Sequence, residues 1–265
     1  MPPLVSVLTS VYNGENYLKE CVDSILGQTF DNFEYVILND GSTDRTKNIL
    51  EKYTDSRIRI IHQDNLGIPK SLNKGISLCN TSLIAHLDAD DYVQPYWLEK
   101  LFKFMENNPG LVFCGSRFEE LYNGKLYPQS FPFLEWDDEI RKSLCFMNIV
   151  PHSFTIFRKP SFLKVGGYDP NLSIAHDYDL WIRLLKEGQG HNLNEILGVL
   201  RIHEASISKI KERILFQEVF QVQWKAYREL GGSFWRMVRA FARGGLAWFL
   251  PPRIRSFLRK IIKKR

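Results

Sequence analysis

Apolar residues in the first third of the chain fall into short strand-like runs, separated by stretches in which they recur every three or four positions. The runs are "LVSVLTSVY" (4–12), "FEYVILND" (33–40), "RIRIIHQ" (57–63) and "SLIAHLD" (82–88). The first is apolar enough for a strand covered on both faces, and Asn13-Gly14 breaks it before the helical "ENYLKECVDSILGQ". "STDRTKNILEKY" and "IPKSLNKGISLC" predict the next two helices. Strands alternating with helices of this length imply βαβ units, hence an α/β domain with a parallel sheet and right-handed crossovers. After a helix over 95–107 the alternation changes: "LVFCGSRFEELYNGKLYP" predicts a longer strand with a hairpin turn at Asn123-Gly124. A helix over 137–147, the strand "SFTIFRK", a short helix ending at Gly166-Gly167, the helix "DYDLWIRLLKEG", the strand "NEILGVLRIH" and a long helix over 204–230 complete the pattern.

In a sheet of this kind ligands lie beyond the carboxyl ends of the strands. Those ends read Thr9 to Asn13, Asn39-Asp40-Gly41-Ser42, Asp64-Asn65 and Asp88-Ala89-Asp90-Asp91, which places a polar, acid-rich site on one rim. Three carboxylates within four positions repel one another unless a cation or hydrogen-bond donors compensate. A solvated turn with Asp91 as a helix cap is the plainest alternative. An EF-hand fails because Tyr92 and Val93 stand where a ligand and a glycine are required. An aspartate-nucleophile phosphatase would need a following Thr that is absent. A Mg²⁺ or Mn²⁺ bound by one or two carboxylates completes its shell with phosphate oxygens and water, so the cluster suits a nucleotide diphosphate.

Composition is that of a folded protein, 44% hydrophobic and 25% charged, which excludes wholesale disorder. Charge is unevenly spread. The net charge is +5, yet after Glu229 there are ten basic residues and no acid, so residues 1–229 are acidic overall. That body is a poor nucleic-acid binder. In the tail, Ile254, Phe257, Leu258, Ile261 and Ile262 share one helical face, with Arg255, Arg259, Lys260, Lys263 and Lys264 on the remainder. Residues 232–265 are therefore expected to lie on an anionic membrane surface, with a partner-docking helix and a nucleic-acid arm as alternatives. "GGLAWFLPP", the longest apolar stretch there, is too short to span a bilayer. Cys21, Cys79, Cys114 and Cys145 form no CxxC pair and read as buried thiols of a reducing compartment. No signal peptide is expected, and the reading is a cytoplasmic protein, peripheral on the inner face of the plasma membrane.

Taken in order, "VSVLTSVYNGENYLKECVDSILGQTFDNFEYVILNDGSTDRT", "NLGIPKSLNKGI" and "LIAHLDADDY" resemble the family 2 glycosyltransferases of the GT-A fold, over residues 3–115 and more weakly to 208. The resemblance implies a nucleotide-diphospho-sugar transferase fold, a Rossmann-like, mostly parallel sheet with helices on both faces. It divides the chain into a catalytic domain over 1–208, with a donor half (1–115) and an acceptor half (116–208), and a C-terminal amphipathic helical extension over 209–265. It implies that Asp40 binds the base, that Thr9 and Tyr12 serve the nucleoside, and that Asn65, Gly67 and Lys70 lie along the nucleotide path. It gives Asp90 to the ribose and the metal, Asp91 to the metal, and Asp88 to the loop or the metal shell, with Mn²⁺ or Mg²⁺ as cofactor. "GGYDPNLSIAHDYDLWIRLL" resembles the region of the catalytic base, usually an acid pair; His176 replaces the first acid and Asp177 matches the base. "LRIHEASIS" matches the family's Arg-x-His segment, placing Arg201 and His203 near the pyrophosphate or metal.

The expected activity is inverting transfer of a sugar, UDP-linked, to a hydroxyl of a glycan or lipid-linked acceptor. Plainer readings stand beside these. Asp177 and Asp179 favour a helix N-terminus through the macrodipole alone. Trp181 and Arg183 suit packing and an ion pair, Lys70 a solvated first turn, and His62, His86, His152 and His191 satisfied or exposed histidines. A non-catalytic sugar-nucleotide-binding protein remains open because of His176. A nucleotidyltransferase would require a Gly-rich phosphate loop after the first strand, which "SVYNGENY" does not supply.

Overall fold

The computed structural model describes residues 2–203 and 212–231. Its elements are β1 (Val5–Val11), α1 (Leu18–Leu26), β2 (Phe33–Asp40), α2 (Thr46–Leu50), β3 (Ile58–Gln63), α3 (Ile68–Leu78), β4 (Leu83–His86), β5 (Tyr92–Val93), α4 (Trp97–Asn107), β6 (Leu111–Tyr122), β7 (Lys125–Pro128), α5 (Asp137–Leu144), β8 (Thr155–Arg158), α6 (Lys159–Lys164), α7 (His176–Leu184), β9 (Gln189–Arg201) and α8 (Glu212–Leu230). Among the described residues the strands form one sheet in the order β3-β2-β1-β4-β8-β6-β9-β5, with β7 paired to β6.

The βαβ alternation of the first half gives parallel pairing of β1 with β2 and β4, and of β2 with β3. β8 then runs antiparallel between β4 and β6, and β9 lies parallel to β6. β1 to β4, β6 and β9 therefore all point one way, and their carboxyl ends share a rim. The reversed β8 brings its amino end, with Ser153 just before it, to that same rim.

Strand alternation divides the core into two layers. Val5, Val7, Tyr35 and Ile37 face a cluster containing Leu18, Val22 and Ile25 of α1 and Trp97 and Leu101 of α4. Leu8, Val36 and Leu38 face the other side, against Leu72 and Ile76 of α3 and Leu180 and Trp181 of α7. Val222 and Ala226 of α8 belong to this second cluster, so tertiary packing continues past the expected boundary at 208. α8 is part of the folded unit, while the basic segment over 232–265 lies outside the described residues.

β9 begins at Gln189, five positions before the apolar "NEILGVLRIH". After exposed Gln189, its next polar residues are buried by specific partners: His191 stacks on Phe104 with ring centroids 4.6 Å apart, and Asn192 donates to the carbonyl of Leu134 at 2.9 Å.

Candidate active site

The acidic loop is fixed at both ends. β4 leads into Asp88 and β5 pairs antiparallel with β9, Tyr92 opposite Val199 and Val93 opposite Gly198. Helix α4 starts only at Trp97, so Asp91 is no helix cap. It is 3% exposed, which also removes the solvated-turn reading. Glu99 bonds Thr29 and Lys103 on the outer surface of α4, away from an EF-hand role.

Each acid has its own partners. Asp91 accepts from the backbone N–H of Arg201 at 2.8 Å and from the Ser153 hydroxyl at 2.6 Å, one donor on each carboxylate oxygen. Burial, with Asp90 and Asp88 nearby, pushes its pKa well above the usual carboxylate range. Asp90 Oδ2 stands 2.9 Å from His203 Nε2, and burial together with Asp88 raises its pKa too. Asp88 Oδ1 lies 3.0 Å from His86 Nε2 and 3.7 Å from His152 Nδ1. Burial works against its charge, but His152 and His86 hold it well below the usual range.

Of the expected metal set Asp91, Asp90 and His203, Asp91 already accepts two hydrogen bonds, whereas Asp90 and His203 bond each other. Asp91 is a buried brace, fully engaged in joining the loop to β8 and β9. Asp90 and His203 face each other and fit a divalent ion: two donors at right angles on an ion, each at about 2.1 Å, stand about 3 Å apart. A carboxylate and an imidazole are a suitable donor set for Mn²⁺. Behind them His86, Asp88 and His152 bring three ligand atoms within 4.8 Å of one another, a second group able to hold a metal ion.

Arg201, expected at the pyrophosphate, uses its guanidinium to hold the loop. Nε donates to the Asp90 carbonyl at 3.0 Å, Nη2 reaches Glu20, and the group lies 4.7 Å above the Tyr17 ring. Tyr17 also packs against His203, ring centroids 4.8 Å apart and the planes tilted by 37°.

Asp40 is 3% exposed and accepts three hydrogen bonds, from Gln63 Nε2 at 2.7 Å and from the backbone N–H groups of Leu66 at 2.9 Å and Gly67 at 3.0 Å. It therefore shapes the β3–α3 loop, where Asn65 is exposed, and the start of α3, where Lys70 is exposed in the first turn. Two glycines permit that shape. Gly41 has φ +74°, and a Cβ there would lie 2.6 Å from the Asn65 nitrogen; Gly67 has φ +80°.

Thr9 is a correction. It is fully buried, donating to the Leu87 carbonyl at 2.8 Å and lying 3.0 Å from the Tyr35 hydroxyl, so it cannot touch a nucleoside. The period of two that turns Thr9 inward puts Ser10 on the opposite face, partly exposed, and leaves Tyr12 54% exposed at the rim.

On the acceptor side α7 carries Asp177 in its first turn, where its Oδ2 accepts from Asn148 Nδ2 at 2.8 Å. Burial raises its pKa, against the opposing effect of His152. His176 is 6% exposed, and both ring nitrogens lack a hydrogen-bond partner. Burial beside His152 pushes its pKa down to about 3, so it is neutral. His152 links the two halves: its ring is 5.2 Å from that of His176, and its Nε2 is 3.0 Å from the Tyr168 hydroxyl. Burial opposes its protonation, but Asp88 raises its pKa above the ordinary value.

Tyr17, His152 and Ser153 carry no periodic or motif signal. Ser153 is positioned by an uncommon backbone, since the next residue, Phe154, has φ +71°. A bulky side chain in the left-handed region costs about 1–2 kcal/mol. The Phe154 ring fits where a Cβ on Gly198 would come within 2.2 Å of it.

The sequence model of "Glycosyl transferase family 2" matches residues 6–166. A glycosyltransferase of Rickettsia typhi is 31% identical over 236 residues, covering 85% of this chain and 71% of that protein. Hyaluronan synthase of Pasteurella multocida is 31% identical over 213 residues, 78% of this chain but 22% of the synthase. Residues 1–349 of S. aureus TarS, solved with UDP-GlcNAc, superpose with a TM-score of 0.73 at 18% identity, covering 94% of this chain and 77% of that one. The mannosyltransferase PcManGT from Pyrobaculum calidifontis, solved with GDP-Man and Mn²⁺, gives 0.71 at 18% identity, covering 94% and 72%. At such identities these two structures speak for the fold, which is GT-A.

Proposed function

The chain belongs to glycosyl transferase family 2 and is a glycosyltransferase, and from that premise we propose that it moves a sugar, with inversion, from a nucleotide-diphosphate donor to a hydroxyl of a glycan or lipid-linked acceptor. We read the donor as UDP-linked and the reaction as dependent on Mn²⁺ or Mg²⁺. One observation carries the proposal: His152 stands between Asp88 of the acidic loop and the His176-Asp177 start of α7, so donor-side and acceptor-side groups share one rim.

In this reading Tyr12, Ser10 and the loop shaped by Asp40 border the nucleoside, and Asp90 with His203 would hold the cation. When bound, the cation offsets negative charge on the departing diphosphate. Asp177 accepts the proton of the acceptor hydroxyl as that oxygen attacks the anomeric carbon. The bond from that carbon to the diphosphate oxygen breaks, and its electron pair leaves with the nucleotide. Asn148 orients the Asp177 carboxylate. Neutral His176 adds no second negative charge there, so the raised pKa of Asp177 comes first from burial, with Asp88 adding to it.

A thermal-shift panel of UDP-, GDP- and dTDP-sugars with Mn²⁺, followed by assay of nucleotide release, tests the reading. A UDP-sugar should give the largest stabilisation, about 2.7 kcal/mol at a hundred times its Kd, and should be turned over. Equal shifts across the panel would remove the UDP assignment. Binding without turnover of any donor would favour the non-catalytic alternative.

We also propose that residues 232–265, outside the described set, hold the protein on the cytoplasmic face of an anionic membrane. No described helix is long and apolar enough to cross one. Truncation after Gly231 should abolish cosedimentation with phosphatidylglycerol vesicles, since each basic residue near such a surface contributes about 1 kcal/mol. Undiminished cosedimentation would exclude the tail as the anchor.

A further inference from the structure

The turn that carries the candidate base is held by a carboxylate from α8. α7 begins with Ala175 at its N-cap and no side-chain cap of its own. Glu218, 7% exposed, fills that position from a different helix. Its Oε1 accepts from the Ser173 N–H and the Ser173 hydroxyl, both at 2.8 Å, and its Oε2 from the N–H groups of Ile174 at 2.7 Å and Ala175 at 2.9 Å. Three consecutive N–H groups converging on one anion form a nest at the positive end of a helix. Burial opposes the charge of Glu218, but those donors hold its pKa below the usual range.

α8 also reaches the other side of Asp177. Gln223 Nε2 donates to the Phe146 carbonyl at 2.7 Å, fixing the segment from which Asn148 bonds Asp177. Lys225 Nζ bonds Asp179 Oδ1 at 2.6 Å, and Asp179 Oδ2 accepts from Arg183 Nε at 2.7 Å. Buried Val222 and Ala226 dock α8 by apolar contact independently of these polar ties. Losing one tie should therefore loosen the turn before it undocks the helix.

We propose that Glu218 is a positioning residue for Asp177, seconded by Gln223, so that α8 is part of the acceptor-side machinery as well as the connection to the basic tail. This rests on the reading of Asp177 as the base. The full-length protein tests it, with Mn²⁺-dependent UDP release from UDP-N-acetylglucosamine, with water as acceptor, as the activity probe. Glu218→Ala should lower turnover about 10–100-fold, the scale of an ångström-sized misplacement, with UDP affinity in Mn²⁺ unchanged. Amide exchange should accelerate in peptides covering 173–177 and stay the same in those covering 86–91. Added to Asp177→Asn, Glu218→Ala should cause no further loss, because its effect runs through Asp177.

Unchanged turnover, unchanged exchange at 173–177, or a fully multiplicative loss in the double variant would each overturn the inference. If Glu218→Ala does not fold, Gln223→Ala decides by the same readouts, and normal turnover with normal exchange at 146–148 overturns it. Absence of UDP release from the unaltered protein counts against the choice of donor instead, and amide exchange then decides on Glu218 alone.

Discussion

Asp177→Asn should lower sugar transfer about 10²–10⁴-fold, the range set by removal of a general base, while nucleotide affinity in Mn²⁺ stays within about twofold. The asparagine retains the size of the side chain and, through its carbonyl oxygen, the hydrogen bond from Asn148 Nδ2. What it loses is the ability to take a proton. Because burial raises the pKa of Asp177, transfer by the unaltered protein should fall on acidification at a pH above that of an ordinary exposed aspartate. The sign follows from the role: a base works deprotonated, so a raised pKa moves the acid limb upward. Pre-steady-state and steady-state UDP release across pH would measure both effects. A variant retaining near-normal turnover would remove Asp177 from the reaction.

Asp90→Ala should weaken Mn²⁺-dependent UDP binding by at least about a hundredfold, more than the 10–100-fold typical of losing a group behind a metal ligand. His203→Ala should act in the same direction, since His203 Nε2 faces Asp90 Oδ2. Asp91→Ala should behave differently. It leaves the Arg201 N–H without its acceptor, at a cost of about 1–3 kcal/mol for an unsatisfied buried group, and leaves the Ser153 hydroxyl only the longer bond to Asp88 Oδ2 at 3.1 Å. Its main effect should be a lower melting temperature in the absence of nucleotide, whereas Asp90→Ala, which relieves like-charge repulsion, should melt no lower than the unaltered protein. Calorimetric titration of UDP with Mn²⁺ and thermal melting of the three variants would separate the roles. Normal metal-dependent binding by Asp90→Ala would return the metal to Asp91.

The strands and helices of the first half were legible because each strand is a short apolar run covered on both faces, separated from the next by a helix of regular apolar period. The site was legible as a rim for the same reason. Which side chain faces it was not. Thr9 and Ser10 differ by one step of strand alternation, and only the packing of Tyr35 against Thr9 fixes the phase. Asp90 and Asp91 differ in the same way, decided by the pairing of β5 with β9 and the Arg201 N–H that follows from it. His152 and Ser153 reach the rim only because β8 is reversed between β4 and β6. α8 was legible as a helix, but its docking depends on Glu218 meeting backbone groups more than forty positions earlier, for which composition gives no sign.

The reversed strand also fixes the order in which this site can come into being. Asp88 has His86 close by in sequence, but the groups that hold Asp91 arrive late: Ser153 follows it by 62 positions and Arg201 by 110. A chain emerging from the ribosome exposes Asp90 and Asp91 long before these partners and His203 exist, so the half that would bind the nucleotide is not a module that folds first and waits. Its loop acquires a defined shape only when β8 and β9 have joined the sheet, and donor binding is thereby made a report on completion of the entire domain.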